Sequence, residues 1–406
     1  MSSSGIQYET GVTFSQARLP EPPAYWSFSA LKRFDNCPLQ YALLRAAYDD
    51  LWAGKGYPPL PNSAALFGNV VHGALEVVVK ALTRSGVDSP HTAEAADVLR
   101  GVGGLTNVVE KVTADQLSHL DGNPRLNSDR RRRIARELQS RAAEARVRVQ
   151  TILSRTSFVY GKPSAAPAGS SPRERRPVSN GSHAEVLLLA DELRVLGRID
   201  LLTIQGTQVQ ILDYKTGVQA PDHPDQMLLY ALLWARDRVA NPVALAVSTL
   251  TLAYGDKDVR VDVPTTEELE ELAAKLQQRV AGADAELARG APRAMPSGET
   301  CAWCPVRQLC AAYWQVVAPK LADVAVGEWF DHEAIVGKQN GQRSWWAKDV
   351  SSQETDLLIR TSEQAPAFHE GDRVRILGIR RESDKDVLLP VATLSSSSEI
   401  FIVTSD

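Results

Sequence analysis

Residues 184–217 read AEVLLLADELRVLGRIDLLTIQGTQVQILDYKTG, three or four apolar runs of strand length broken by Asp-Glu and Gln-Gly turns. Runs so rich in Val, Leu and Ile, this close together, demand neighbouring strands and a partner layer to cover them. Two of the runs end on charge: GRID on Asp200, and ILDYKTG on Asp213 with Lys215 two residues later. Residues two apart on a strand project to one face, so Asp213 and Lys215 are neighbours. If the two strands form a hairpin, Asp200 converges on the same place. Two carboxylates and a backbone carbonyl suit a hard divalent ion such as Mg2+ or Mn2+. A lysine beside them positions an attacking water and offsets charge growing on a phosphoryl group. Taken alone, the D-x-K pattern is more often a surface ion pair at a strand end.

With 406 residues, 44% hydrophobic and 23% charged, the chain has the composition of an ordinary globular protein and room for two or three domains. It contains no run of about 18 uncharged apolar residues, so no membrane span and no membrane partner are expected. The first residues, MSSSGIQYETGVTFSQ, lack the features of a secretory signal, and the expected location is cytoplasmic. A net charge of −4 does not point to a polyanion. Ten arginines between Arg125 and Arg155, against Asp129, Glu137 and Glu144, favour nucleic acid only weakly, because such a face is usually just solvated. The chain has no G-x4-G-K-[ST] loop, hence no recognisable nucleotide motor.

The segment from Trp26 predicts a helix capped by Ser27 or Ser29 and interrupted at Cys37-Pro38. A second helix carries FGNVVHGALE, and an Ala- and Arg-rich helical region runs to about Phe158. Residues 161–182 are Pro-, Ser- and Gly-rich and read as a linker. After the strands come a helix with Leu228, Leu229, Leu232 and Leu233 inward, another strand in ALAVSTLTLAYG, and a long amphipathic helix over about 266–289. Beyond Val324 the short alternating runs predict a small antiparallel barrel, OB-like in size and spacing. The expected divisions are thus 1–84, 85–182, 183–323 and 324–406. In the barrel, Trp345, Trp346, Phe368, Arg373, Arg375, Arg380 and Arg381 are either contacts for a single strand or, more simply, structural residues.

The four cysteines are Cys37 and the cluster CAWCPVRQLC, with Cys301, Cys304 and Cys310. In a reducing compartment this spacing favours metal ligation over disulfides. By spacing alone a four-thiolate zinc site and an iron–sulfur site are equally good.

The motifs GRID, DYKTG and QMLLY, in this order, resemble those of the PD-(D/E)XK nuclease superfamily, in its RecB/AddB-type branch. FGNVVHGALE resembles the helix that carries a histidine ligand in that branch, which places His72. The resemblance covers about residues 26–314. It implies an α/β core, with His72, Asp200, Asp213 and the Tyr214 carbonyl holding Mg2+ or Mn2+, and Lys215 as the catalytic partner. Glu185 stands where many relatives have a further acidic residue and is otherwise a strand-edge charge. Gln226 and Tyr230, four apart on a helix, would brace the site or touch substrate. The single upstream cysteine with the downstream cluster resembles the branch's iron–sulfur staple, as in CRISPR-associated exonucleases, which favours a [4Fe–4S] cluster on Cys37, Cys301, Cys304 and Cys310. His183 and His223 have no motif support and read as surface residues. The function implied is a metal-dependent DNA nuclease, an exonuclease on single-stranded or end-containing DNA, acting in repair, recombination or defence, with a helicase or defence complex as a possible partner. The alternative is a non-cleaving nucleic-acid-binding or scaffold subunit.

Overall fold

The computed structural model describes residues 6–8, 17–49, 51–160, 175–351, 356–361 and 368–403. Most of the expected linker, residues 161–174, lies outside the described residues. The elements follow as β1 (Ile6–Tyr8), β2 (Trp26–Ser27), α1 (Phe28–Asn36), α2 (Pro38–Arg45), α3 (Ser63–Arg84), α4 (Ala93–Gly101), α5 (Gly104–Ser118), α6 (Ser128–Ser140) and α7 (Ala142–Leu153). Then come β3 (Gly181–Ala190), β4 (Val195–Gln205), β5 (Gln208–Lys215), α8 (His223–Arg236), β6 (Thr249–Tyr254), β7 (Asp258–Val261), α9 (Thr266–Ala288), α10 (Gly298–Ala302) and α11 (Ala311–Val316). The chain closes with β8 (Trp329–Gln339), β9 (Ser344–Asp349), β10 (Asp356–Thr361), β11 (Arg373–Glu382), β12 (Val391–Leu394) and β13 (Glu399–Val403).

The apolar block of the sequence forms β3, β4 and β5, an antiparallel meander. β5 pairs parallel with β6 through the α8 crossover, and β7 closes the far edge. This six-stranded sheet is covered on both sides. Val209 and Ile211 of β5 face a core with α1, α8 and α9, including the fully buried Trp26, Leu31 and Trp234. Tyr214, with Leu201 of β4 and Ala253 of β6, enters a second core with α3, α5, α6 and α7. That double coverage is why β4 is apolar almost throughout instead of alternating. The expected inward face of α8 holds for Leu229, Leu232 and Leu233, whereas Leu228 is only partly buried.

α3 is long and apolar enough by itself to cross a bilayer. Here its apolar residues, from Leu66 to Leu82, are the centre of the second core. At the interruption the sequence predicts, Cys37 caps both helices: its N–H closes α1 on the Arg33 carbonyl, and its Sγ accepts from Gln40 N at the start of α2.

The C-terminal strands form a barrel in the order β11-β12-β10-β9-β8, closed by β8 on β11. Two findings depart from the expectation. The barrel is not purely antiparallel, because β10 and β12 run parallel; β11, which lies between them in sequence, crosses the barrel to pair with β8. The helical N-terminal segment also supplies a strand, with β1 pairing antiparallel to β13. Of the residues considered for contacts, Trp345 and Phe368 are packed edge to face in the barrel core. Arg375 is buried, bonded to Glu333 and to the Gln308 carbonyl, and Arg381 donates to the Leu321 carbonyl. Those arginines fasten the barrel rather than face solvent. The barrel is also tied to the helical layer by Arg125, whose buried guanidinium grips both oxygens of Glu399 and the Pro305 carbonyl.

Candidate metal centre and cysteine site

The ladder between β4 and β5 ends at the pair Leu201–Leu212, and beyond it the two strands diverge. The gap is filled by charge. Asp200 Oδ2 accepts the N–H of Tyr214 at 2.7 Å, and Asp200 Oδ1 lies 3.1 Å from His72 Nε2. His72 reaches this point from α3, 128 residues earlier in the chain. The approach is close: a Cβ on Gly68 would stand 3.0 Å from Thr216 Oγ1, so a glycine there lets α3 lie against the turn after Lys215.

Glu185 faces Asp200 from β3, at a position where the β3–β4 pairing is broken between Ala184–Leu201 and Val186–Ile199. Its φ of 58° is rare for a residue with a side chain, and such strained backbone clusters at functional sites. One ligand atom each of His72, Glu185 and Asp200 lie within 4.8 Å of one another, a metal-sized group. Asp213, expected among the ligands, is not in it. It is ion-paired with Lys215, Nζ to Oδ2 2.6 Å. The described contact of Tyr214 with the site is its N–H on Asp200.

The electrostatics describe a crowded acidic site. The hydrogen bond to Asp200 pushes His72 up to about 9, against the effect of its burial. Burial, then the Asp200 charge, pushes Asp213 up to about 6 although Lys215 opposes both. Glu185 is raised by burial and then by Asp200. A cation placed among these groups would relieve all three carboxylates. One imidazole and several carboxylate oxygens are a donor set that fits Mg2+ or Mn2+.

Lys215 is fixed by a relay from α8. Its Nζ donates to Gln226 Oε1 at 2.7 Å, and Gln226 Nε2 lies 2.7 Å from Tyr230 Oη. The Tyr230 ring in turn rests on Gly197, where a Cβ would be 2.9 Å from Cε1. The glycine of GRID is therefore needed by the tyrosine of QMLLY. His223, expected at the surface, is instead half-buried and within hydrogen-bond distance of Tyr254 Oη at 2.7 Å through Nδ1. Burial and the nearby Lys215 hold it below the usual histidine range. His183 bonds the Ser179 carbonyl, away from these residues. The sequence carried no sign of the part His223 takes, because its partner is on another strand.

The four cysteines line one cavity beside α2, although Cys37 lies 264 residues before Cys301. Cys37, Cys301 and Cys304 are buried and Cys310 is partly so. Burial raises the Cys304 and Cys310 thiols. Among the described residues, no three of these sulfurs are within 4.8 Å of one another.

No curated protein matches this chain. Among solved structures, a murine DNA-binding protein bound with double-stranded DNA matches at 9% identity over 55% of this chain and 95% of its own, with a TM-score of 0.17. That likeness is too slight to bear on fold or function. The family model of the PD-(D/E)XK nuclease superfamily matches residues 25–311, from the start of β2 through the third cysteine of the cluster and with every residue of the two sites inside it. The chain belongs to the PD-(D/E)XK nuclease superfamily.

Proposed function

We propose that the protein is a divalent-metal-dependent deoxyribonuclease that hydrolyses phosphodiester bonds in single-stranded or end-containing DNA, as an exonuclease. The observation that carries this reading is the convergence of His72, Glu185 and Asp200 beside the Lys215–Asp213 pair. Mg2+ or Mn2+ would be held by His72, Asp200 and Glu185, with Asp213 and the Tyr214 carbonyl completing the set. When bound, the ion supplies Lewis-acid polarisation of a phosphoryl oxygen and lowers the pKa of water.

The chain's own residues do the rest. Lys215, held by Gln226 and Asp213, orients the attacking water and faces the negative charge that builds on phosphorus. Water oxygen bonds to phosphorus as the bond to the leaving oxygen breaks. The products are a phosphate monoester end and a hydroxyl end. Glu185 or Asp213 would take the proton of the water.

Cys37, Cys301, Cys304 and Cys310 would hold a [4Fe–4S] cluster, which joins α1 to the residues after α9 and so closes a long loop around the nuclease sheet. Its role in this reading is structural. The expected settings are repair, recombination or defence against foreign DNA, with a separate motor protein as partner.

The test is digestion of end-labelled linear and closed-circular single- and double-stranded DNA with Mg2+ or Mn2+, by protein purified anaerobically. Linear single strands should be degraded, circles spared, and the protein brown. Cleavage by Asp200→Ala or Lys215→Ala at the wild-type rate refutes the site assignment. Cut circles refute the exonuclease mode, and a colourless, zinc-loaded protein refutes the cluster.

A further inference from the structure

Two arginines of the helical layer border a groove that opens where Lys215 ends its strand. Several other arginines of this segment are tied into the fold. Arg125 grips Glu399, Arg130 bonds the Ser397 carbonyl, and Arg155 bonds Asp258 and the Tyr254 carbonyl. Arg141 and Arg148 differ in facing a cavity of about 800 Å³ whose other wall is formed by residues 216–219 and 254–257.

Resting on the nuclease reading above, we infer that this groove binds the stretch of single-stranded nucleic acid that flanks the scissile phosphate. Three observations lead there. The groove is continuous with the site: residue 216 follows Lys215 directly, and Tyr254 is the partner of Lys215 across the β5–β6 ladder. On the opposite wall, Phe67 lies five residues before His72 on α3, about 7.5 Å along the helix axis.

The chemistry matches a nucleotide strand. The Arg141 guanidinium carbon stands 3.6 Å from the centre of the Phe67 ring, and that of Arg148 stands 5.1 Å from it. A planar guanidinium held on an aromatic ring offers a stacking face to a base and fixed donors to a phosphate. Arg148 is anchored further by donating to the Thr216 carbonyl at 3.1 Å. Val218, 87% exposed, adds an apolar surface at the rim.

The charges also favour an anion. Arg141, Arg148 and Lys257 are the cations, against Asp256 and the carboxylate of Glu144. Glu144 bonds Arg141 at 2.8 Å and lies 2.8 Å from Arg148, and so holds both heads together at the edge of the groove. The excess is small, so the contribution expected is positioning and moderate affinity.

The test uses fluorescence anisotropy with a labelled oligothymidylate of about 12 nucleotides, in Ca2+ and across a salt series, beside cleavage kinetics in Mn2+. Relative to wild type, Arg141→Ala/Arg148→Ala should weaken binding about tenfold and lower the salt slope by about one to two. KM should rise more than kcat falls. Arg146→Ala, an exposed arginine on the same helix α7, should change neither. If the double variant binds with the affinity and salt slope of Arg146→Ala, the groove assignment is overturned while the nuclease reading stands. A wild-type protein that neither binds nor cuts the oligonucleotide overturns the nuclease reading and this inference with it. Should the alanine pair fail to fold, Arg141→Lys/Arg148→Lys carries the test. It keeps the charge but not the planar stack, so the salt slope should persist with weaker binding. Unchanged binding in that variant overturns the inference.

Discussion

Replacing Gly197 by alanine adds one methyl group, yet it should disturb the site through a chain of contacts visible in the structure. The new Cβ would lie 2.7 Å from Leu233 Cδ1 and 2.9 Å from Tyr230 Cε1. To reach an ordinary separation of 3.4 Å the tyrosine ring must retreat about 0.5 Å and the leucine about 0.7 Å. Both belong to α8 and are buried, so neither can swing out to solvent. Overpacking of this kind costs about 1–3 kcal/mol and should lower Tm by roughly 1–5 °C. The larger effect is on chemistry. Tyr230 is bonded to Gln226, which holds Lys215, so displacing the ring moves the ammonium group. Since ~1 Å of misplacement costs on the order of 100-fold, a loss of cleavage of about 10- to 100-fold is expected at saturating DNA. The assay pairs a thermal melt with single-turnover digestion of end-labelled single strands. A variant that melts lower but cuts at the wild-type rate would refute the link from Tyr230 to Lys215. One that matches wild type in both would refute the packing argument itself.

Asp213→Asn should abolish cleavage yet raise the Tm of the metal-free protein at pH 7. The folded carboxyl titrates near 6 instead of 3.8, so its ionised form costs stability once pH rises through that range, and the gain should vanish below about pH 4 in a pH series of melts. His72, pushed up to about 9 by Asp200, has the opposite sign: its proton adds stability present below about 6.5, and this is lost as pH rises through 9. Metal must displace that proton, so affinity for Mn2+ should climb with pH up to about 9. Calorimetry in buffers of different ionisation heat should show proton release near pH 7.5 that His72→Ala lacks. Arg125→Ala leaves Glu399 without its bidentate partner in a buried place and should cost about 3–5 kcal/mol, read by denaturant unfolding. Limited proteolysis should then cut the segment between α11 and β8 faster than in wild type.

Much of the site was legible because its parts are local. Asp213 and Lys215 share a strand face, Gln226 and Tyr230 share a helix face, and Cys301, Cys304 and Cys310 lie within one ten-residue stretch. Glu185 was ambiguous, since a carboxylate on a strand edge looks the same in sequence whether its backbone is regular or, as here, turned to φ 58°. The aromatic and basic residues of the barrel divide in a way that residue type does not show: Trp345, Phe368 and Arg375 are buried, while Trp346, Arg373 and Arg380 are exposed. Trp345 and Arg375 have side chains that serve a core or a docking face as well as a ligand, and only burial tells which.

Residue order sets the local elements and the chemistry they carry: an apolar meander ending on charge, a helix with one histidine, a spaced set of thiols. Periodicity and residue type decide these within a few turns of chain. The tertiary structure alone decided which of them meet. His72 and Asp200 are 128 residues apart, and Cys37 and Cys301 are 264 apart. Their approach follows from burying both faces of one sheet, a requirement that acts on the whole chain at once.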